Sequence, residues 1–238
     1  MSLPQRGTDI PARAAGPISP ALRAPASDAA RPAGIPPKQH NYEDAVRLAM
    51  AAVRRQSAEQ LEWLGARPEG RGRWSVQALD EMLTVDLAAG TVAASSSGPV
   101  SVWWKMLALH YLGVAGRPAE LPPSLIFADL PGGRVYAPVY QARVIQRLCR
   151  TAGRDRATLL AAARAIGGQE AGDFPARDLT ADFRMFPRVS LRLVWHAGDD
   201  EFSPSATILL PANIEAFFCI EDITVLSESL VGRLSGKR

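Results

Sequence analysis

The sequence predicts an α+β protein in which an antiparallel sheet, dominated by a hairpin in the C-terminal half, is covered on one face by helices and preceded by a disordered Pro/Ala-rich arm. Three observations lead there. Val189, Leu191, Leu193 and Trp195 alternate with Ser190, Arg192 and His196, the period-two pattern of a half-buried strand. Other segments carry apolar residues at helical spacing, so both periods occur in one chain. The first 38 residues hold eight prolines, many alanines and no aromatic residue, a composition that cannot sustain a helix or bury a face of its own. The organisation expected is an arm over 1–39 and a single globular domain over 40–238.

The domain is expected to open at Asn41, a helix cap with Asp44 in the capping-box position, followed by Tyr42, Ala45, Val46, Ala49 and Val53 at helical spacing. A short helix after Ser57 carries Leu61 and Leu64 and stops at Gly65. Strands follow near Trp74–Ala78 and Met82–Leu87, with Ala89 and Gly90 turning the chain into Thr91–Ala94. Ser101 caps a helix over Val102–Leu112 that is apolar on nearly every side, which places it in the interior. Adjacent Trp103 and Trp104 face about 100° apart on it, so one can fill the core while the other reaches a second surface. A strand over Leu125–Phe127 leads to the Asp129–Gly133 turn. Pro138 suits the first position of a helix ending at Gly153, and Asp155 caps one that stops at Gly167 and Gly168. After the strand at 189–196, residues Ala197–Glu201 turn into a strand over Phe202–Leu210, Asn213 caps a short helix, and Ile223, Leu226, Leu230 and Leu234 line the last long one.

Composition excludes several classes. No apolar run approaches the roughly 18 residues of a membrane span, and prolines interrupt any secretory leader in the first thirty residues. A cytoplasmic location follows as an expectation. Cys149 and Cys219 have no metal or redox spacing and read as buried, reduced packing residues. Of 27 basic and 24 acidic side chains, five and two lie in the first 38 residues, leaving 22 of each in the fold. A neutral fold without a Lys/Arg stripe lacks the counterion-release drive toward nucleic acid. No cofactor signature is present: there is no serine elbow, zinc spacing or phosphate-loop fingerprint.

Several short strings occur in a particular order: His110-Tyr111-Leu112, Asp129-Leu130-Pro131-Gly132-Gly133-Arg134, Gly172-Asp173, Phe186-Pro187-Arg188, and Trp195-His196-Ala197-Gly198-Asp199-Asp200-Glu201-Phe202-Ser203-Pro204-Ser205 running on to Leu210. In that order, over roughly Asn41 to Leu234, the chain resembles the prokaryotic domain-of-unknown-function family 3786. The resemblance implies association with iron–sulfur or corrinoid proteins of anaerobic metabolism, and it supplies no activity. Without a cysteine cluster this chain does not ligate an iron–sulfur centre itself, so any such cofactor would belong to a partner.

Two functions remain. The first is an accessory or assembly subunit that binds another protein, with the arm draping over the partner and exposed aromatic area beside the arm as its mark. The alternative is a small-molecule-binding domain or enzyme whose pocket lies between the sheet and the central helix, lined by His110, Arg134, Tyr136, Asp173 and Arg188. The plainer reading of His110 is a hydrogen-bonded core residue, and that of Arg188 with Asp173 a structural ion pair. His196, Asp199, Asp200 and Glu201 carry oxygen and nitrogen donors for a hard cation, but neighbours on a strand end point alternately, which favours a solvated hairpin turn.

Overall fold

In the computed structural model, residues 37–96, 98–172 and 177–236 are described; the arm expected over 1–39 lies outside them as far as residue 36, and so does Asp173. Helix α1 (Pro37–Arg54) begins four residues before the expected cap, leaving Asn41 inside it. Proline tolerates the first helical position because the N–H it lacks would have no intrahelical acceptor there. Asp44 pairs with Arg47 at 3.0 Å. Ser57 caps α2 (Ala58–Trp63), its hydroxyl accepting from the N–H of Gln60. The chain leaves α2 through Gly65 at φ +83°, where a Cβ would also lie 2.5 Å from Pro187, so both backbone and packing require glycine.

A four-stranded antiparallel meander follows: β1 (Arg67–Gly70), β2 (Arg73–Ala78), β3 (Glu81–Asp86) and β4 (Thr91–Ala94). β1 carries no alternation in Arg-Pro-Glu-Gly and is exposed throughout, which is why periodicity misses it. Register pairs Trp74 with Val85 and Val76 with Leu83. All four are buried. Ser101 caps α3 (Val102–Leu112), which packs against α1 and buries Trp104, Leu107, Leu109 and Tyr111.

The second sheet has the order β5-β9-β8-β7-β6, all antiparallel: β5 (Pro123–Ile126), β6 (Gln169–Glu170), β7 (Leu179–Phe186), β8 (Val189–His196) and β9 (Ser205–Pro211). The predicted hairpin is therefore its centre, although β9 starts three residues later than expected. β7 was not foreseen; Leu179, Ala181, Phe183 and Met185 are buried in alternation with Asp182 and Arg184, but Thr180 and Phe186 are buried too, so its alternation is less clean than that of β8. Between the two edge strands, β5 and β6, run α4 (Gly133–Tyr140), a π turn (Gln141–Ile145), α5 (Gln146–Arg150) and α6 (Arg156–Ala165). The helix expected to start at Pro138 starts five residues earlier. Pro138 sits within it, and the wider π turn follows directly. Asp155 caps α6 as predicted, accepting from the N–H of Thr158 at 2.8 Å.

The last helix, α7 (Ile220–Leu234), lays Ile223, Leu226, Leu230 and Leu234 into the core and touches α3, α5 and α6. The N–H of Leu79, in the turn after β2, donates to Met185 O of β7 at 2.9 Å and so links the two sheets, and Tyr111 of α3 stacks on Phe186 of β7 at 4.6 Å. The fold is thus α+β, with helices on one face of the larger sheet. No helix among the described residues is long and apolar enough to cross a membrane.

Candidate functional site

The candidate residues fall into separate groups. α7 collects the first. Nδ1 of His110 lies 2.8 Å from Asp222, half-shielded from solvent at the α3–α7 contact. Burial alone would raise the Asp222 carboxyl, but the hydrogen bond and charge of His110, with bonds from Cys219, outweigh it and hold the group below its usual value. One residue earlier on α7, Glu221 accepts from the Tyr136 hydroxyl, and the bond raises the phenol's pKa. Arg143, carried by the π turn, forks between Glu221 at 3.0 Å and Glu228 at 2.7 Å and donates to the Tyr136 oxygen at 3.1 Å. Its hydrogen bonds to Glu228 and then Glu221 hold the guanidinium firmly charged. His110 and Tyr136 are therefore brought to successive residues of one helix, by partners that sequence reasoning did not name. Cys219 is exposed just before α7, not buried within a helix as expected, because the chain meets it before the first helical turn; Cys149 is half-buried in α5. Burial raises both thiols, which disfavours the reactive thiolate.

Arg188 belongs to a different group. Its guanidinium lies over the Trp63 ring at 4.6 Å, donates to Trp63 O at 2.9 Å and faces Glu120 at 3.8 Å, while its N–H donates to the Tyr111 hydroxyl. Arg134 is exposed, with no side-chain partner among the described residues. The predicted pairing of Asp173 with Arg188 involves a residue outside the described ones. The four described pocket candidates thus split between the face of α7, the Trp63 corner and open surface.

The β8–β9 end forms a third group. The Asp199 carboxylate accepts from the N–H groups of Glu201 at 3.0 Å and Phe202 at 2.8 Å, which lower its pKa and fold the loop upon itself. Asp200 and Glu201 are exposed. His196 does not join them: its Nδ1 contacts Asp178 at 2.9 Å, on the neighbouring strand's side. Among the described residues no three His, Cys, Asp or Glu side chains are grouped to hold a metal ion. A cleft of about 690 Å³ opens at this end, lined by Arg154, Arg177 and the loop 197–204.

The fourth feature is a groove of about 600 Å³ between α1 and α3, with Val46, Met50 and Val102 in it and Arg47, Arg54, Lys105 and Glu43 around it. Tyr42 lines the groove and meets Trp103 edge-on at 5.4 Å.

Fold and surface together define a two-sheet α+β protein whose polar side chains are gathered on helix and sheet faces. The chain belongs to the family described as Domain of unknown function (DUF3786), whose model matches residues 57–233, about three-quarters of the 238. The match begins later than the expected resemblance, so α1 precedes it. No curated protein and no solved structure matches the chain.

Proposed function

We propose that this chain is an accessory or assembly subunit, prokaryotic and cytoplasmic, that docks on another protein through the α1–α3 groove. The observation that carries the reading is the aromatic corner shared by α1 and α3: Trp103 of α3 is 45% exposed, and Tyr42 and Leu48 of α1 38% and 64%. Large rings left in water beside an apolar groove are the composition of interface hot spots. Three cations around the groove against one carboxylate fit an amphipathic partner segment that carries acidic side chains. The family resemblance points to iron–sulfur or corrinoid proteins as the partner class, with the cofactor held by the partner. A charge-neutral fold supports a protein partner over nucleic acid.

The test is anaerobic purification of the full-length protein from its native host, with mass spectrometry and metal analysis of what accompanies it. A stoichiometric partner that is lost in Trp103→Ala and Tyr42→Ala, with the far-UV spectrum unchanged, is the expected result. Retention of the partner by both variants would remove the groove from the reading, and absence of any partner from the unaltered protein would remove the reading itself. A version starting at His40 measures what the arm adds.

A further inference from the structure

We propose that the free protein covers its α1–α3 groove with a second copy of itself: the loop 199–202 of one copy seats in the groove of another, and the partner segment must displace it. This inference rests on the groove reading and adds the regulation of that site. The loop is folded as a plug. The Asp199 carboxylate accepts from the N–H groups of Glu201 and Phe202, and the N–H of Asp199 donates to Phe202 O at 2.8 Å. Gly198 closes the turn so tightly that a Cβ there would lie 2.7 Å from Phe202 O. A turn set before binding lowers the ordering cost of an interface. It holds Phe202 69% exposed, with Asp200 and Glu201 exposed beside it. Single exposed rings are common on protein surfaces; this one is flanked by charges that match the groove.

Val46, Met50 and Val102 give the groove an apolar floor, and its volume of about 600 Å³ is ample for one phenyl side chain. A thioether such as that of Met50 makes favourable contacts with aromatic rings. Around the floor, Arg47 is already paired with Asp44 at 3.0 Å. Arg54 donates to Leu87 O, and neither it nor Lys105 has a carboxylate partner among the described residues. Two cations are thus left over on the rim, with Glu43 the acid beside them. On the loop, Asp200 and Glu201 pair with no cation among the described residues, although Arg154 and Arg177 line the cleft that the loop borders. Two carboxylates beside a ring therefore match two cations beside an apolar floor, and burying the ring pairs the charges.

The loop does not reach the groove of its own chain. α3, one wall of the groove, lies at the β7–β8 turn, where Trp104 and Tyr111 both meet Phe186, the register partner of Val189. The loop leaves β8 after His196, at the other end of a strand that spans about 23 Å at about 3.3 Å per residue. A second copy removes that constraint. The contact is heterologous, loop to groove rather than like to like, so the two surfaces can be disabled separately.

The experiment is sedimentation of the full chain up to about 1 mM, at low and high salt. The mass should rise with concentration above the 25.6 kDa of one chain and fall back in salt. Phe202→Ala in the loop and Lys105→Glu on the rim, each with an unchanged far-UV spectrum, should weaken association at least about tenfold. An equimolar mixture of the two variants should associate where neither does alone, since one keeps its groove and the other its loop. In the purification from the native host, Phe202→Ala should capture the partner at least as well as the unaltered chain. A mass of one chain at every concentration, association that survives in both variants, or a mixture no better than its components would each overturn the proposal, and loss of the partner in Tyr42→Ala would still uphold the groove. Self-association broken by both variants, with no partner recovered from the host, would uphold the loop contact and remove only the partner.

Discussion

Tyr111 shows how much one hydroxyl organises. Fully buried on α3, it donates to Leu64 O at 2.6 Å and accepts from the N–H of Arg188 at 3.1 Å, tying the end of α2 to the β7–β8 turn. Burial pushes its pKa upward, so the phenol stays neutral and keeps its proton for Leu64. Tyr111→Phe leaves a buried carbonyl and a buried N–H without partners, and a loss of about 1–3 kcal/mol in urea unfolding is expected. An unchanged midpoint would mean that water replaces the hydroxyl. Asp222 carries a pH signature. Its folded pKa is depressed below the ordinary 3.8, so its contribution is complete above about pH 4 and disappears as the pH falls through the lower folded value. Asp222→Asn should therefore flatten the fall in stability below about pH 4, with some loss at neutral pH; an acid limb parallel to that of the unaltered protein would count against the His110 bond. At this scale the sequence pointed to His110 and Tyr136 but not to their partners, because Glu221, Asp222 and Glu228 are ordinary surface residues of a helix until α3 and the π turn are brought to them.

At the level of elements, legibility follows the strength of local chemistry. Caps at Ser57, Ser101 and Asp155 are written in one residue each and lie where their side chains predict. The helix starts expected from a cap at Asn41 and from Pro138 at a first position are displaced, since a proline inside or ahead of a helix is compatible with more than one start. β7 had a legible alternation, but Asp182 and Arg184 on its outer face interrupt the apolar run, and Asp182 meets Arg192 of β8 at 2.6 Å. That pairing exists only once the strands are neighbours. The Asp178–His196 contact was likewise invisible, since residues 18 positions apart become neighbours only once the strands β7 and β8 pair. Two substitutions test the elements. Ser57→Ala should cost about 1 kcal/mol through loss of the α2 cap. Gly65→Ala should cost more, about 1–3 kcal/mol, because the left-handed backbone and the approach of Pro187 act together.

Among the described residues, side chains from α3 and α7 bridge the two sheets within one compact unit. Arg233, near the end of α7 and largely buried, reaches Glu81 at 2.7 Å and Asp80 at 3.5 Å at the β2–β3 turn, and its guanidinium lies 5.9 Å from the Trp104 ring. Burial raises the Glu81 carboxyl, but hydrogen bonds from Ser96 and Arg233 outweigh it and keep the group ionised. Arg233→Ala leaves that charge behind, and a loss of about 3–5 kcal/mol is expected in denaturant unfolding. The transition should remain single, with Trp74 in one sheet and Trp195 in the other reporting the same midpoint as far-UV circular dichroism. Separate midpoints would show two independent folding units.

The position of α7 has a consequence for synthesis of the chain. α3, His110 and the turn at Asp80 emerge from the ribosome more than a hundred residues before the helix that packs against them, and β5 precedes the strand it pairs with, β9, by about eighty residues. The first half of the domain must therefore wait without the helix that packs on α3. This nascent chain is a natural client for chaperones, and a message interrupted before Ile220 yields a product destined for proteolysis rather than a smaller working protein.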